Sequence, residues 1–519
     1  MRDAAKNVTK TMAKLGTLLA LCAVLEPFVR ERHNRSEKRP GVVWSPGPGE
    51  AFILKNAEVV DVLTGTVLHK RGLLIRDGRI EEILTEKKTA ALEGVKVLDA
   101  AGSYVIPGLI NAHCHMLLTA TLSFTPGVFA AMGRQIERNF EDCITHGVTT
   151  VRDVGSLPLL LRRYVERIED GDLLGPRVYY AGSFINAPGG YPAFIPALPP
   201  QVADKVGDFG IGVRTPAEAI EAVEKNAAAG ASLIKTAFDD RTLFLGQKPL
   251  PILDDASLRA VVEAAHERGM KVSAHHRFRA GFLRGIAFGL DGMEHLPSDA
   301  VLQDADVEAF VAGDNYIVPT VQVGWALCGV SRDDPYLDDP RVRQVLANRL
   351  EVVKAFYMTL CEPAVHKALM AFEKTYRDPA TQEKRHRPFT LESKIFTEAV
   401  VKGSENLNKL YHAGALIGCG NDGGTPQSFP GGLGMEMVIM ESMSDMKPLD
   451  VLQAATINNA RILGVEDDLG TVARGKLADL VLLPGNPLDS MHHVMNPCAV
   501  FKGGKLAFAT HQPELMVSP

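Results

Sequence analysis

The segment DASLRAVVEAAHERGMKVSAHH, residues 255–276, carries the pattern that decides the fold, because a helical stretch is followed directly by a short apolar strand. Apolar residues recur at helical spacing as far as Gly269, a residue type that commonly ends helices, and Asp255 is a suitable N-terminal cap. The strand that follows ends in two histidines. Helices that alternate with nearly continuous apolar strands predict a parallel sheet.

Seven further segments resemble this strand, and helical stretches lie between several of them, such as residues 215–231 with a cap at Thr215 and a stop at Gly230. The eight candidates are YVIPGLINAH (104–113), VTTVRDVG (148–155), RVYYAG (177–182), SLIKTAF (232–238), KVSAHH (271–276), GMEHL (292–296), YIVPTV (316–321) and ALIGCGND (415–422). Eight such strands predict an α/β fold, a (β/α)8 TIM barrel over residues 105–469. The charged stretch at about 331–402 is too long for a simple crossover and is interpreted as a helical insertion over one face of the barrel.

The two ends of the chain show a different pattern of short strands. Residues 51–104 begin with alternating apolar and polar side chains and contain an Asp77-Gly78 turn, which is a strong hairpin signal. Residues 470–512 repeat this pattern. We therefore expect these two segments to combine into one small β-sandwich beside the barrel.

Residues 1–50 are interpreted as a leader and linker. The apolar run Leu15–Leu25 is too short to span a bilayer, which takes about 20 residues. Its length suits the hydrophobic region of a signal peptide, so export or membrane association through residues 1–29 stays open beside a surface helix. Otherwise we expect a cytoplasmic protein.

The composition favours a globular protein that acts on a small molecule. The chain has 519 residues, of which 46% are hydrophobic, and a formal net charge of -6. Acidic residues outnumber basic ones by 62 to 56, so no nucleic-acid partner is expected. The seven cysteines are scattered and odd in number, which argues against a disulfide framework. A homo-oligomer is expected.

Polar side chains close several of the candidate strands, at the edge where barrels of this type place their active sites. His113 and His115 share one side of the first strand, because side chains alternate, and Cys114 faces away. The other strand-end residues are Lys235, His275-His276, Glu294-His295 and Asn421-Asp422. Imidazole and carboxylate groups are ligands that Zn²⁺ favours. The sequence therefore predicts one pocket that binds divalent metal.

Eight motifs make the chain similar to the amidohydrolase superfamily over about residues 52–510. In order they are VIPGLINAHCH, HGVTTVRDVG, AGASLIKTAF, KVSAHH, GMEHLP, GNDGG, TINNARILGV and GTVARGKLADLVLLPGNPLD. The branch that the chain resembles is that of the metal-dependent, imidazolonepropionase-like or prolidase-like amidohydrolases, which includes Xaa-Pro dipeptidases and ochratoxinase-type amidases.

The resemblance implies a site with two divalent metal ions, expected to be Zn²⁺. His113, His115 and Asp422 would bind the more buried ion, and His275 and His295 the second. Lys235 would be carboxylated and bridge the two ions, which suits a lysine at the end of a buried strand. The alternative for this lysine is an ion pair with Asp239 or Asp240.

The mechanism that the resemblance implies is hydrolysis of a C–N bond, amide or peptide-like, in a small-molecule or dipeptide-like substrate. A metal-bridged hydroxide would attack, with Asp422 as general base and then acid. His295, with the second metal, would polarise the carbonyl. A single-metal imidazolone hydrolase or deaminase, in which Lys235 has no role, and a non-catalytic scaffold are the alternatives.

Two positions bear on specificity. Tyr191 stands where the branch usually carries a histidine after strand three, which puts dipeptidase specificity in doubt. Arg277 is a candidate to bind a substrate carboxylate, with a solvated arginine as the alternative. By alternation His276 points off the pocket face. Eight other histidines are interpreted as lying outside the site: His33, His69, His146, His266, His412, His492, His493 and His511.

Overall fold

The computed structural model describes residues 41–121, 125–192, 198–242, 248–329, 336–347, 356, 359–376, 393–510 and 516–517. Residues 1–40 of the expected leader and linker (1–50) lie outside these residues, as does much of the expected insertion. Within them the chain is α/β. No described helix is long and apolar enough to cross a membrane.

The strands are numbered in chain order. They are β1 (Ala51–Asp61), β2 (Thr66–Arg76), β3 (Arg79–Leu84), β4 (Lys96–Asp99), β5 (Tyr104–Pro107), β6 (Leu109–Cys114), β7 (Val148–Asp153), β8 (Arg177–Tyr180), β9 (Phe184–Asn186), β10 (Gly210–Gly212), β11 (Leu233–Ala237), β12 (Lys271–His275), β13 (Gly292–Glu294), β14 (Tyr316–Val318), β15 (Leu416–Ile417), β16 (Leu480–Leu483), β17 (Ala499–Lys502), β18 (Lys505–Ala509) and β19 (Met516–Val517).

The α-helices are numbered in the same way. They are α1 (Glu86–Ala90), α2 (Pro126–Thr145), α3 (Pro158–Glu169), α4 (Pro200–Val206), α5 (Pro216–Ala228), α6 (Asp255–His266), α7 (Arg279–Ala287), α8 (Asp304–Ala312), α9 (Val321–Leu327), α10 (Pro340–Leu346), α11 (Pro363–Tyr376), α12 (Ser393–His412), α13 (Leu433–Met443), α14 (Pro448–Gln453) and α15 (Asn459–Leu463). A π-helical turn, Ala454–Asn458, joins the last two.

The predicted parallel strands form two sheets, with the orders β11-β12-β13-β14-β15 and β6-β7-β8. The N–H of Ala112 donates to the Cys419 carbonyl (3.0 Å), and that of Ser232 to the Tyr180 carbonyl (2.9 Å), at the two places where the sheets meet. The α/β class is confirmed. Strand pairing among the described residues gives these two sheets rather than one closed barrel.

The register of the five-stranded sheet aligns the strand ends that carry the polar residues. His275 on β12 lies opposite Ala237 on β11 and Glu294 on β13, and Glu294 lies opposite Val318 on β14. In a parallel sheet the carboxyl ends of neighbouring strands share one edge. The residues just after these strands are therefore brought to one place.

The first predicted strand is divided between two sheets at Gly108. Its first half is β5, which pairs with β1 and β16, and its second half is β6, which pairs with β7. A Cβ atom on Gly108 would lie 2.1 Å from Oγ1 of Thr149, so only glycine fits this crossing.

Strands from both ends of the chain pair in a nine-stranded sheet of order β18-β17-β16-β5-β1-β2-β3, in which β4 also pairs with β1 and β19 pairs with β4. Its core contains the buried side chains Phe52, Leu73, Leu480 and Phe501. The pairing describes one sheet, and the expected two-layered sandwich stays a prediction. The end of the expected linker is part of this unit, because Trp44 pairs with Leu506 and packs edge-on against Phe52 at 4.9 Å.

The predicted helices around β11 are present, with one correction at the start of α6. Thr215 caps α5 as predicted, since its side chain accepts from the N–H of Glu218. The cap of α6 is Asp254, and the prediction of Asp255 was wrong by one residue. Asp254 has extended backbone and its carboxylate accepts from the N–H of Ser257, while Asp255 is already helical.

The described part of the insertion packs against α2. Helices α9 to α12 lie between β14 and β15, and the Arg138 guanidinium of α2 donates to the carbonyls of Thr359 (2.7 Å) and Cys361 (2.9 Å). That the insertion lies over one face of a barrel stays a prediction. The six cysteines in the described ranges have free thiols, and Cys22 lies outside those ranges.

Candidate metal centre

Two histidines and one aspartate meet at the end of β6. His113 and His115 are 1% and 7% exposed, and the Nε2 atoms of the two rings lie 3.3 and 3.2 Å from Oδ1 of Asp422. The three ligand atoms lie within 4.8 Å of one another, which is close enough for one metal ion. This buried set of two imidazoles and a carboxylate suits Zn²⁺ or a similar divalent ion.

The loop after β15 places Asp422 beside these histidines. The backbone N–H of Asp422 donates to the His113 carbonyl at 2.9 Å, and the aspartate has φ 50°, a left-handed conformation. Gly424 follows with φ 107°, and a Cβ there would lie 2.3 Å from the carbonyl oxygen of His115. The glycine is therefore needed for the loop to approach β6 so closely.

A second histidine pair lies at the ends of β12 and β13. Nδ1 of His275 and Nε2 of His295 are 2.8 Å apart. His295 has φ 74°, and Nδ1 of this ring lies 2.6 Å from the hydroxyl of Thr320, a β-branched residue that has φ 49°. Left-handed backbone at such residues costs energy and tends to occur at functional sites.

Each of the four histidines has an outer hydrogen-bond partner on one ring nitrogen. These contacts are His113 Nδ1 to Glu294 (2.7 Å), His115 Nδ1 to the Gly155 carbonyl (2.7 Å), His275 Nε2 to Asp239 (2.8 Å) and His295 Nδ1 to Thr320 (2.6 Å). The other nitrogen of each ring faces Asp422 or a second histidine. Histidines that bind metal are held in this way, since the outer partner fixes ring orientation and tautomer.

Lys235 lies in the middle of β11, two residues before the strand end at which the sequence placed it, and is 1% exposed. Its Nζ has no hydrogen-bond partner among the described residues and lies 3.8 Å from Oε1 of Glu294, which also accepts from Arg152 at 2.5 Å. Burial lowers the pKa of Lys235 to about 8, against the opposing charge of Glu294. Lys235 does not form the alternative ion pair with Asp239 or Asp240. These two carboxylates pair with Arg277 and Arg241, respectively.

The carboxylates of the site stay ionised in spite of burial. Burial would raise the pKa of Asp422, but His113 and His115 outweigh it and hold this pKa well below its usual range. At Glu294 burial is likewise outweighed, here chiefly by Arg152 and Lys235, and the pKa is again well below its usual range. Burial lowers the pKa of His295, which keeps this ring neutral and available as a ligand.

Two residues face away from the site, as alternation predicts. His276 is fully buried, with its ring edge-on to Phe282 at 5.7 Å, and burial lowers its pKa to about 3. The thiol of Cys114 lies 3.6 Å from the carbonyl of Arg152, away from the ligand atoms of His113 and His115.

Tyr191 lies against His275, and Arg277 shares the partner Asp239 with this histidine. The ring of Tyr191 stacks on that of His275, with centroids 3.9 Å apart and planes 13° from parallel. Arg277 is 6% exposed, so the solvated alternative was wrong. Its Nε donates to Asp239 and its Nη2 to the Arg241 carbonyl (3.1 Å), while Nη1 has no hydrogen-bond partner within the described part of the chain.

Six of the described histidines, all interpreted as lying outside the site, have other contacts or positions. His146 contacts the Asp142 carbonyl, His266 pairs with Asp291, His412 with Asp445 and His69 with Glu58, and His492 and His493 lie in a turn, Met491–Met495. His33 and His511 lie outside the described residues.

Sequence reasoning missed the residues that hold the ligands. Arg152, Asp239 and Thr320 were not assigned, although each contacts a histidine or the Glu294 beside one. One signal was available for Arg152, because an arginine within the apolar strand VTTVRD needs a buried partner. The roles of Asp239 and Thr320 depend on distant loops and leave no local signal.

Comparisons with known proteins agree with this fold. The model of the amidohydrolase family matches residues 104–507. Ochratoxinase from Aspergillus niger is 23% identical over 506 residues, covering 91% of this chain and 89% of that enzyme. A solved structure described as a prolidase from Bifidobacterium longum is 25% identical, with a TM-score of 0.62, covering 89% of this chain and 95% of that one. A Xaa-Pro dipeptidase solved with bound methionine is 23% identical, with a TM-score of 0.64, covering 88% and 99%.

The parallel α/β fold carries a buried His-His-Asp group that could hold a metal ion, an arrangement typical of metal-dependent hydrolases. The chain belongs to the amidohydrolase family. It is a hydrolase that acts on carbon–nitrogen bonds.

Proposed function

We propose that the protein is a binuclear metal-dependent amidohydrolase that cleaves an amide or peptide-like bond in a small substrate. The observation that carries this proposal is the set of outer partners on all four histidines, because it turns four ring nitrogens inward with Asp422. Such inward-facing nitrogens repel one another unless protons or cations lie between them. We also propose that the parallel strands form the closed (β/α)8 barrel that is usual for the family.

His113, His115 and Asp422 would hold one ion, and His275 and His295 the other. Lys235 would bridge as a carbamate: Nζ in its neutral form forms a bond to carbon dioxide and releases a proton. A pKa of about 8 supports this step, since part of the amine is neutral near physiological pH. The product would replace a buried cation that has no hydrogen-bond partner among the described residues with an anion that can bind metal.

Bound zinc ions would lower the pKa of a water molecule and polarise the substrate carbonyl. Asp422 would accept the proton of the attacking water and return it to the leaving nitrogen, as general base and then acid. The His295 ring, anchored by Thr320, would lie on the side of the carbonyl oxygen. A single-metal deaminase would leave Lys235 without a role.

We further propose that Tyr191 and Arg277 contact the substrate. The Tyr191 ring covers His275, and Nη1 of Arg277 is a buried donor without a hydrogen-bond partner in the described ranges. A substrate oxygen there, such as that of a carboxylate, would satisfy this donor. The substrate class would then be N-acyl amino acids or dipeptides.

The test is hydrolysis of N-acyl amino acids, dipeptides and cyclic amides by purified protein, with and without added Zn²⁺. Asp422→Asn is the matched variant, since it keeps the side-chain size and one ligating oxygen. We expect metal-dependent release of the amine and a kcat for Asp422→Asn that is about 10² to 10⁴ lower, with a smaller change in KM. Release of ammonia from aminated heterocycles without amide cleavage would contradict the proposal, as would a near wild-type rate for Asp422→Asn.

A further inference from the structure

The contacts of Asp239 distinguish it from the other carboxylates near the site. Oδ2 of Asp239 accepts from Nε2 of His275 at 2.8 Å and from Nε of Arg277, and Oδ1 accepts from the backbone N–H of Arg277 at 3.1 Å. The Asp239 side chain is fully buried. An ionised carboxylate is only an acceptor, so the proton of His275 lies on Nε2 and the lone pair on Nδ1.

Arg277 ties together the three loops that follow β11, β12 and β13. Its side chain donates to Asp239 and to the Arg241 carbonyl, and its own carbonyl accepts from the N–H (2.8 Å) and the hydroxyl (3.0 Å) of Ser298. These loops follow the strands that carry Lys235, His275 and the residue before His295. The position of Asp239 is therefore fixed from both sides by one arginine.

We propose that Asp239, held by Arg277, is a positioning residue that fixes the tautomer and orientation of His275 so that Nδ1 faces the second metal. This inference rests on the proposed binuclear site. It assigns to Nε of Arg277 a role toward the metal that is separate from any contact of Nη1 with the substrate. Outer partners of this kind are typically worth a factor of about 10 to 100 in metal affinity.

Asp239→Asn is the sharpest test, because the amide is isosteric and can donate to Nε2, which would favour the opposite tautomer of His275. The matched control is Asp240→Asn at the adjacent residue, whose side chain is 52% exposed and contacts Arg241. Wild type and variants are loaded with Zn²⁺, dialysed against graded chelator and analysed for zinc per chain. We expect Asp239→Asn to lose one of two ions at chelator levels about 10- to 100-fold below those that strip wild type, and Asp240→Asn to match wild type.

Arg277→Met keeps the inference testable if Asp239→Asn does not fold. This substitution removes the Arg277 hydrogen bonds and leaves the Asp239 carboxylate. We therefore expect the affinity for the same ion to fall, by a smaller factor than in Asp239→Asn. If Arg277 served the substrate alone, this variant would raise KM and leave zinc retention unchanged. Two ions held as tightly in both variants as in wild type would overturn the inference and leave the proposed function intact. A wild-type protein with fewer than two ions would contradict the proposed function, and this inference with it.

Discussion

His275 and His276 are adjacent in the chain and have opposite environments, which makes them a matched pair for substitution. His275 contacts His295 and Asp239, whereas His276 lies fully buried beside Phe282. We expect His275→Ala to lose one ion and to lower kcat/KM more than the loss of an outer hydrogen-bond partner would, which typically costs a factor of about 10 to 100. His276→Leu should keep both ions and most of the activity. Metal analysis and steady-state kinetics would check this, and the reverse outcome would show that the register of β12 is wrong by one residue.

The buried His276 also predicts a pH dependence of stability. Burial lowers its pKa from 6.5 to about 3, so between these values the unfolded chain binds a proton that the native protein does not. The free energy of unfolding therefore falls as pH falls below 6.5, by up to about 1.4 kcal/mol per pH unit for one proton. Between pH 7 and pH 5 we expect the free energy of unfolding, measured with urea, to fall by about 2 kcal/mol less in His276→Leu than in wild type. An equal loss in both proteins would show that this ring is not buried in its neutral form.

At the scale of single residues, the sequence predicted the candidate metal ligands but not the residues that hydrogen-bond to them. Strand alternation separated His113 and His115 from Cys114, and the family resemblance selected Asp422. Both inferences use only residues that are close together in the sequence. Arg152 and Glu294 are 142 residues apart and meet only when the sheets form. The alternative partners for Lys235 were its sequence neighbours, while the carboxylate nearest to it in the fold lies on another strand.

At the scale of elements, the eight parallel strands were predictable because each is a short apolar run that ends in a loop. The division of the first run into β5 and β6 was not, since it depends on how closely Gly108 approaches Thr149 across the fold. The cap of α6 was displaced by one residue because Asp254 and Asp255 are adjacent and chemically alike. The pairing of β9 with β10 had no sequence signal, because each has three residues.

The link between α2 and the insertion leads to a prediction about local stability. Arg138 donates to two backbone carbonyls, those of Thr359 and Cys361, and hydrogen bonds from a charged group contribute about 1.5 to 3 kcal/mol. We expect Arg138→Ala to raise amide hydrogen exchange in residues 359–376 at least about 10-fold and to leave the strands unchanged. The control is Arg162→Ala, whose side chain is 53% exposed and pairs with Glu166. Equal exchange in both variants would mean that this link does not hold the insertion.

At the scale of the whole molecule, the two ends of the chain are coupled to the site through β5. This strand pairs with β1 and β16 in the terminal sheet and continues into β6, which ends at His113 and Cys114. The sequence predicted that the ends combine, because both show strand patterns. It could not predict a nine-stranded sheet, since strand order depends on pairing across more than 370 residues, as between Tyr104 and Leu483.

The measurement that tests the central claim most directly is the number of divalent ions per chain in fully active protein, by elemental analysis of wild type and Lys235→Ala. Four histidines with outer partners, Asp422 and a buried Lys235 predict close to two ions in wild type. They also predict that chelation abolishes hydrolysis, and that Lys235→Ala holds at most one ion and is inactive. Full activity with a single ion, unaffected by Lys235→Ala, would contradict the binuclear account.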